Sequence, residues 1–242
     1  TLFPYTTLFR SMDEIAVTLK KDPLEVRKLN LYQDPAISGT PDTMTTQYNQ
    51  LIEDWVGDKV VAQVESEARY AERRAAVQAF NAQSKTRKRG LALVPLKFGI
   101  SFTATHLNQG GALLVIYMDG SVSVNHGGTE MGQGLNTKMA QVCADGLGIS
   151  VDKVRVTATD SQKVPNASAT SASSGADING AAIMNATAQM RERLKPVAAR
   201  LLGCAAEDIT FANNAVHGGG KSVNWADLTK QAWLDRVGLS VT

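Results

Sequence analysis

The stretch GGTEMGQGLNTKM, residues 127–139, places four glycines and a glutamine directly ahead of a segment with helical character. Glycine loses more conformational entropy on folding than any other residue, so a cluster of glycines needs a structural reason. Backbone N–H groups at a helix start lack internal partners and favour negative charge. The amide of Gln133 both donates and accepts hydrogen bonds. The stretch is therefore interpreted either as a site for a flat or anionic ligand or as a turn that packs a helix against a sheet.

A second stretch of small residues, PNASATSASSGADING at 165–180, also leads into a helical pattern. Loops of this composition are commonly solvent-exposed linkers. The alternative is that the two stretches clamp one phosphate-bearing cofactor from two sides. Neither stretch matches a nucleotide signature, because GxxxxGK[ST] is absent and GGTEMGQG does not fit GxGxxG. The hydroxyl groups of the second stretch surround Ala172 and belong to Thr170, Ser171, Ser173 and Ser174.

The composition is that of an ordinary globular protein, with 242 residues, a formal charge of +2 and 43% hydrophobic residues. No apolar run approaches the roughly 18 residues that a membrane span requires, and the charge balance gives no argument for nucleic-acid binding. Cys143 and Cys204 lie far apart and outside any CxxC pair. A disulfide framework, a zinc site or an iron–sulfur cluster held by this chain alone is therefore not expected, and a reducing cytoplasm is the expected location.

The chain is predicted to have a helical front. Residues 1–11 fit no downstream pattern and are interpreted as a leader that is not native to the protein. Residues 12–88 are predicted to be mostly helical, with a first helix from Met12 and a restart at Asp22, an N-cap residue followed by proline. A long helical stretch, interrupted near Gly57–Asp58, is predicted from about Thr45 to Ala82. The cations that follow suit a helix C-terminus better than a nucleic-acid site, and they are Lys85, Arg87, Lys88 and Arg89.

Residues 89–242 are predicted to form a mixed β/α domain, so that the whole chain has an α+β fold in which strand–helix units follow the helical front. The apolar period changes to two, which predicts strands over 91–105 and 112–126, the latter folding back at Asp119–Gly120. The further predicted elements are a helix over 135–148, a strand over 151–159, a helix over 178–202, short strands over 209–224 and a helix over 225–237.

Two long segments resemble the molybdenum-binding region of the xanthine dehydrogenase and aldehyde oxidase family. They are RKRGLALVPLKFGISFT at 87–103 and LNQGGALLVIYMDGSVSVNHGGTEMGQGLNTKMAQV at 107–142. The likeness continues through VPNASATSASSGADINGAAI at 164–183 and faintly through WADLTKQAWLDRVGLS at 225–240. The resemblance implies a molybdopterin-binding domain fold, with a molybdenum–molybdopterin cofactor that bacteria usually extend by a cytosine nucleotide.

The resemblance also implies which residues meet the cofactor and the substrate. Ala172 is expected beside the metal without ligating it, Phe102 against the purine and Thr103 at the border of the substrate. From the sequence alone, Phe102 is an alternating strand residue and hence a core aromatic. The residues that match the cofactor-binding positions are Met131, Gly132, Gln133, Gly134, Thr170, Ser171, Ala172 and Ser173.

Asn136 stands where close relatives carry a histidine, which puts any hydrogen bond unique to imidazole in doubt. The three histidines, His106, His126 and His217, show no metal-ligand spacing and are treated as structural or surface residues.

The family hydroxylates an electron-poor carbon with water as the oxygen source, and a glutamate serves as general base. The likeness predicts a xanthine dehydrogenase that oxidises hypoxanthine and xanthine to urate. Aldehyde oxidase or another N-heterocycle hydroxylase is the alternative, and a non-catalytic binding module that uses the cations at 85–89 is a second one. No residue matches the base, and neither Glu130 nor Asp177 is assigned to that role.

We therefore expect a fragment without catalytic residues that is inactive alone. Its 2Fe-2S and FAD groups are expected on other domains or subunits of an oligomeric enzyme.

Overall fold

The structure is a computed structural model that describes residues 4–32, 45–46, 50–96, 98–160, 162–163 and 167–242. The chain divides into two compact units, Thr1–Phe98 and Gly99–Thr242. Among the described residues, no helix combines the length and the apolar character that crossing a bilayer requires.

The first unit begins with two helices, α1 (Pro4–Leu19) and α2 (Pro23–Leu29). The prediction for α2 is confirmed, since the Asp22 side chain caps it by accepting a hydrogen bond of 2.7 Å from the N–H of Leu24. The predicted start of the first helix at Met12 is wrong. Pro4 occupies the first helical position, where proline is tolerated, and the helix then runs on without interruption.

The next two helices are α3 (Gly57–Glu67) and α4 (Tyr70–Gln83), and α3 begins at the predicted interruption near Gly57–Asp58. Thr45 instead forms an isolated antiparallel bridge with Leu51, so the predicted helix start near Thr45 is wrong. β-Branched threonine favours extended backbone, which explains the difference. Residues 47–49 of this prediction lie outside the described part of the chain.

The basic run after α4 closes the C-terminal end of that helix. The Lys88 ammonium donates to the carbonyls of Asn81 and Ser84, and the Arg89 guanidinium lies 3.9 Å from the centre of the Phe80 ring. Cations suit this end of a helix because the dipole there is negative. The helix-end interpretation is confirmed for these two side chains.

The predicted strand over 91–105 is wrong, because the described residues of this range have no strand partner. Alternate side chains are exposed instead, among them Leu96 and Phe98. A two-residue apolar period fits any extended chain, and Pro95 removes one of the N–H donors that a ladder needs. Residue 97 lies outside the described part.

The second unit is built on a mixed four-stranded sheet. The predicted hairpin is confirmed as β1 (Ala112–Ile116) and β2 (Val122–His126), with Ala112 opposite His126. Strand β3 (Val154–Val156) pairs in parallel with β2, and β7 (Ser240–Val241) pairs antiparallel with β1.

Helices α5 (Leu135–Leu147) and α6 (Gly175–Leu202) pack along each other and against the sheet. The chain leaves β2, forms α5 and returns as β3, which is the crossover that two parallel strands require. A second sheet contains β4 (Thr210–Ala212), β5 (Ala215–Gly218) and β6 (Lys221–Asn224), and α7 (Trp225–Leu234) follows it. The core shared by these elements includes Leu114, Val124, Met139, Leu147, Ile183, Met190, Leu194 and Trp225. The predicted mixed α/β fold is confirmed.

Candidate cofactor-binding site

The glycine loop, residues 127–134, connects the carboxyl end of β2 to the first residue of α5. Gly132 and Gly134 have φ angles of 97° and 75°, in the left-handed region that favours glycine. No described atom would lie within 4 Å of a Cβ at either position. The two glycines are therefore required by their backbone conformation, and the space in front of them is open.

The carboxylate of Glu130 holds this loop from within. One oxygen accepts hydrogen bonds from the N–H groups of Gly132 (2.8 Å) and Gly134 (3.0 Å), and the other accepts from Asn136 (3.0 Å). The bond from Asn136, followed by those from the glycines, holds the pKa of Glu130 below its usual value. The expectation of free N–H donors at the start of α5 is therefore wrong, because a side chain of the loop already occupies the anion-binding nest.

The amide of Gln133 spans the same loop. Its oxygen accepts from the N–H of Met131 at 2.6 Å, and its nitrogen donates to the carbonyl of Thr129 at 2.9 Å. An amide oxygen has two lone pairs and an amide nitrogen two hydrogens, so one of each remains available. Gln133 is exposed and can offer both to a heterocycle.

Ser174, within the second stretch of small residues, is the N-cap of α6. Ala172 and Ser173 both have left-handed backbone, with φ angles of 52° and 54°. Such backbone costs a non-glycine residue about 1–2 kcal/mol. The Ser174 hydroxyl donates to the carbonyl of Ser171 at 3.2 Å, so this side chain does not cap the first turn of α6. Strained backbone and an uncapped helix start thus coincide in one loop.

The two stretches are in direct contact. The Thr170 hydroxyl oxygen accepts a hydrogen bond of 2.7 Å from the N–H of Thr129. The pairing expected from the sequence therefore exists as a contact between residues 41 positions apart.

A third segment joins the second stretch through Ser101, whose N–H donates to the carbonyl of Ala172 at 2.9 Å. Ser101 is itself left-handed, with a φ of 69°. Its neighbour Phe102 is half-buried and lies outside any strand, since the Asn108 side chain bonds both its N–H (2.9 Å) and its carbonyl (2.8 Å). Thr103 is exposed beside it. All three segments singled out in the sequence thus meet through hydrogen bonds.

A layer of buried polar side chains lies beneath the glycine loop. The Asn179 amide accepts from the N–H of Gly127 at 3.1 Å and donates to the carbonyl of Gly175 at 2.9 Å, which ties the loop to the start of α6. Outside this buried layer, the hydroxyl of the exposed residue Thr159 donates to the carbonyl of Gly128 at 2.6 Å. His126 is fully buried in the same layer, which confirms the structural interpretation of this residue. Sequence reasoning did not single out Asn179 or Thr159 as part of the site. Each bonds a glycine 52 or 31 positions away, and a single polar residue carries no local signal of such a partner.

A sequence model of the family described as molybdopterin cofactor-binding domain matches residues 63–242, which include every segment of this site. The chain belongs to the molybdopterin cofactor-binding domain family. The family resemblance drawn from the glycine loop is thereby confirmed.

Curated relatives agree with this family. A xanthine dehydrogenase of Drosophila subobscura is 40% identical over 229 residues, which are 95% of this chain and 15% of the relative. A xanthine dehydrogenase of Emericella nidulans is 44% identical over 83% of the chain and 14% of its own length. The nicotinate hydroxylase hnxS of the same fungus is 44% identical over 89% of the chain and 14% of its own length. The chain thus spans about one seventh of the curated relatives it matches.

Solved structures show the same fold. Quinoline 2-oxidoreductase from Pseudomonas putida 86 superposes with a TM-score of 0.76 at 23% identity, over 95% of this chain and 31% of that one. A CO dehydrogenase from Oligotropha carboxidovorans gives 0.69 at 17% identity, over 96% of this chain and 31% of that one. At these identities the likeness concerns the fold alone.

Proposed function

We propose that this chain binds the molybdenum–molybdopterin cofactor of a xanthine dehydrogenase and lines its substrate pocket. The enzyme oxidises hypoxanthine and xanthine to urate with water as the oxygen source. Family membership supports the cofactor class, and the xanthine dehydrogenase relatives at 40% and 44% identity support the purine substrate.

The hydrogen bond from Thr129 to Thr170 is the observation that carries the proposal. It brings two loops of small residues against each other, each at the start of a helix. The left-handed backbone at Ala172 and Ser173 adds support, because strained residues cluster where a ligand is held.

The residues present fit a molybdopterin. Gly132 and Gly134 leave open space for a flat ring, and Gln133 retains one donor and one acceptor for its edge. The uncapped start of α6 favours the anionic part of the cofactor, whereas Glu130 closes the start of α5 to anions. When bound, the cofactor supplies the oxygen-transfer chemistry and takes up two electrons.

Further roles are assigned to residues around the second stretch. The small methyl group of Ala172 leaves room beside the metal, and Thr170, Ser171 and Ser173 supply hydroxyls to the cofactor. The half-buried ring of Phe102 offers a wall for a planar purine, where edge contact adds about 0.5–1.5 kcal/mol beyond burial, and Thr103 borders the substrate.

Glu130 is not proposed as the general base. Its two oxygens accept three backbone hydrogen bonds, which stabilise the ionised form. Because these bonds engage both oxygens, the carboxylate is not available to accept a proton from a substrate. The base is therefore assigned to a residue outside this chain.

The remaining groups of the enzyme are proposed on other domains or subunits. They are a 2Fe-2S cluster and FAD as electron acceptors. The pterin bound by this chain is proposed to be in its cytosine dinucleotide form, and the whole enzyme is proposed to be oligomeric and cytoplasmic. The chain's share of about one seventh of its relatives supports a multi-domain assembly.

Hydroxylation of another N-heterocycle is the second candidate function. The nicotinate hydroxylase relative favours it, since its 44% identity equals that of a xanthine dehydrogenase from the same fungus. Turnover of nicotinate, aldehydes and xanthine by the purified enzyme separates the two. Urate formation from xanthine in preference to the others supports the first candidate.

The cofactor proposal is tested with Thr170→Val and its matched control Thr170→Ser, alongside Gln133→Ala. Valine removes the acceptor for the Thr129 N–H, and serine retains it. We expect stoichiometric molybdenum and pterin in the native protein and in Thr170→Ser, and most of both lost in the other two variants. Molybdenum is measured by mass spectrometry and pterin by fluorescence after oxidation. A correctly folded native protein that carries neither would contradict the proposal.

A further inference from the structure

His126 lies at the last position of β2 with no exposed surface. A buried ring nitrogen needs a hydrogen-bond partner, and both nitrogens of this ring have one. The Gly128 N–H donates to Nδ1 at 3.1 Å, and Nε2 lies 3.1 Å from Oδ1 of Asn136. The ring therefore joins the beginning of the glycine loop to the first turn of α5.

These partners select one tautomer. A backbone N–H can only donate, so Nδ1 must be unprotonated to accept from Gly128. The proton of the neutral ring is then on Nε2, where it is donated to the oxygen of Asn136. Protonation of Nδ1 would place two N–H groups against each other and break the contact with Gly128. Burial also lowers the pKa of His126 and so favours the neutral form.

The surroundings of the ring leave no room for a side chain at Gly128. A Cβ at Gly128 would lie 2.4 Å from Cδ2 of Leu135, 3.1 Å from Nδ2 of Asn179 and 3.2 Å from Nδ1 of His126. Glu130 is the charged group that acts on the ring. The hydrogen bond with Asn136 and the Glu130 carboxylate both raise the pKa of His126, and burial lowers it more strongly. The other polar neighbours, Asn136 and Asn179, are amides without charge.

We propose that neutral, Nε2-protonated His126 is a positioning residue that sets the conformation of the glycine loop 127–134. Nδ1 holds Gly128, and Nε2 holds the side chain of Asn136 in the first turn of α5. The backbone N–H of Asn136 is in turn bonded to Glu130. The consequence for pterin retention rests on the proposed function, whereas the effect on the loop itself does not.

The proposal is tested by three substitutions in the purified protein. In His126→Asn, the side-chain oxygen can replace Nδ1 as acceptor for Gly128 but cannot reach Asn136. In His126→Gln, the amide can reach Asn136 but leaves Gly128 without its acceptor. His126→Phe retains the ring volume and loses both bonds. Val124→Ala is the matched control, because it truncates a fully buried side chain on the same strand.

Amide hydrogen exchange of peptides covering 127–136 is the first measurement. Loss of one net hydrogen bond corresponds to about tenfold faster exchange. We expect at least this acceleration in His126→Phe, smaller increases in the Asn and Gln variants, and unchanged loop exchange in Val124→Ala. Loop exchange that is the same in His126→Phe as in the native protein would overturn the proposal. Equal acceleration in Val124→Ala would also overturn it, since the effect would then be general destabilisation.

Pterin content is the second measurement and separates the two proposals. Faster loop exchange with pterin lost in proportion supports both. Faster loop exchange with full pterin retention supports the positioning role of His126 and overturns the loop as a cofactor site.

Discussion

At the scale of single residues, the side chains of Glu130 and Gln133 each hydrogen-bond a different part of the glycine-loop backbone. The Glu130 carboxylate accepts hydrogen bonds from the N–H groups of Gly132 and Gly134. The Gln133 amide accepts from the N–H of Met131 and donates to the carbonyl of Thr129. A loop with four glycines thereby acquires one conformation although its backbone is permissive.

Glu130→Gln is expected to reduce bound pterin and to accelerate exchange at Gly132 and Gly134. A neutral amide has one oxygen in place of two, and it lacks the charge that strengthens these hydrogen bonds. The measurement is pterin fluorescence together with amide exchange. The control is Glu207→Gln, at an exposed position of the short 3-10 helix Ala206–Asp208. Unchanged pterin and exchange in Glu130→Gln would show that the carboxylate does not hold the loop.

The free energy of unfolding is expected to fall as pH drops below about 6.5, the ordinary pKa of histidine. His126 has a lowered folded pKa, so the unfolded chain binds the proton first. The loss begins as pH falls through the unfolded pKa and is complete below the folded one. Urea titrations between pH 8 and pH 5 measure it, and His126→Phe should lack this component. An identical slope in that variant would assign the effect to other groups.

At the scale of elements, two helices end in the same way but in different surroundings. Gly148 after α5 and Gly203 after α6 have φ angles of 70° and 71°. A Cβ at Gly148 would lie 2.5 Å from the carbonyl of Phe211, whereas no described atom would lie within 4 Å of one at Gly203. The first glycine is thus required by packing as well as by backbone conformation.

Gly203→Ala is expected to cost about 1–2 kcal/mol in the free energy of unfolding, the cost of left-handed backbone for a non-glycine residue. Gly148→Ala should cost about 1–3 kcal/mol more, because the added methyl group overlaps backbone that cannot rotate away. Urea unfolding of the two variants measures the difference directly. Equal costs would show that the α5 terminus relaxes away from Phe211.

At the scale of the whole molecule, the two units differ in how much core they contain. The second unit has a continuous core between its sheets and helices α5, α6 and α7. In the described part of the first unit, the core cluster consists of Leu24, Val61 and Tyr70, with a few partly buried neighbours. Stability of a unit scales with the apolar surface it buries.

Residues 99–242 produced alone are therefore expected to unfold in one cooperative urea transition, and residues 1–98 alone are not. Cys143 is a suitable probe, because burial raises the pKa of its thiol to about 12 and keeps it unreactive in the folded unit. Alkylation of Cys143 should follow the unfolding transition. Alkylation of native 99–242 as fast as that of the urea-unfolded chain would contradict this prediction.

Local signals in the sequence were sufficient for much of the fold. The Asp22–Pro23 cap and the Asp119–Gly120 turn mark elements that the structure contains. They could be predicted because caps and turns depend on residues only a few positions apart. The same locality explains the failure over 91–105, since a strand also needs a partner that no local pattern supplies.

The sequence by itself determined the family, the mixed α/β class and the two small-residue stretches of the candidate site. Only the tertiary structure decided that Thr170 bonds Thr129, that Glu130 occupies the helix start, and that His126 and Asn179 lie beneath the loop. The physical reason is directional hydrogen bonding. Thr170 and Asn179 become partners of Thr129 and Gly127, which are 41 and 52 residues away, only after the core has placed donor and acceptor about 3 Å apart with the correct orientation.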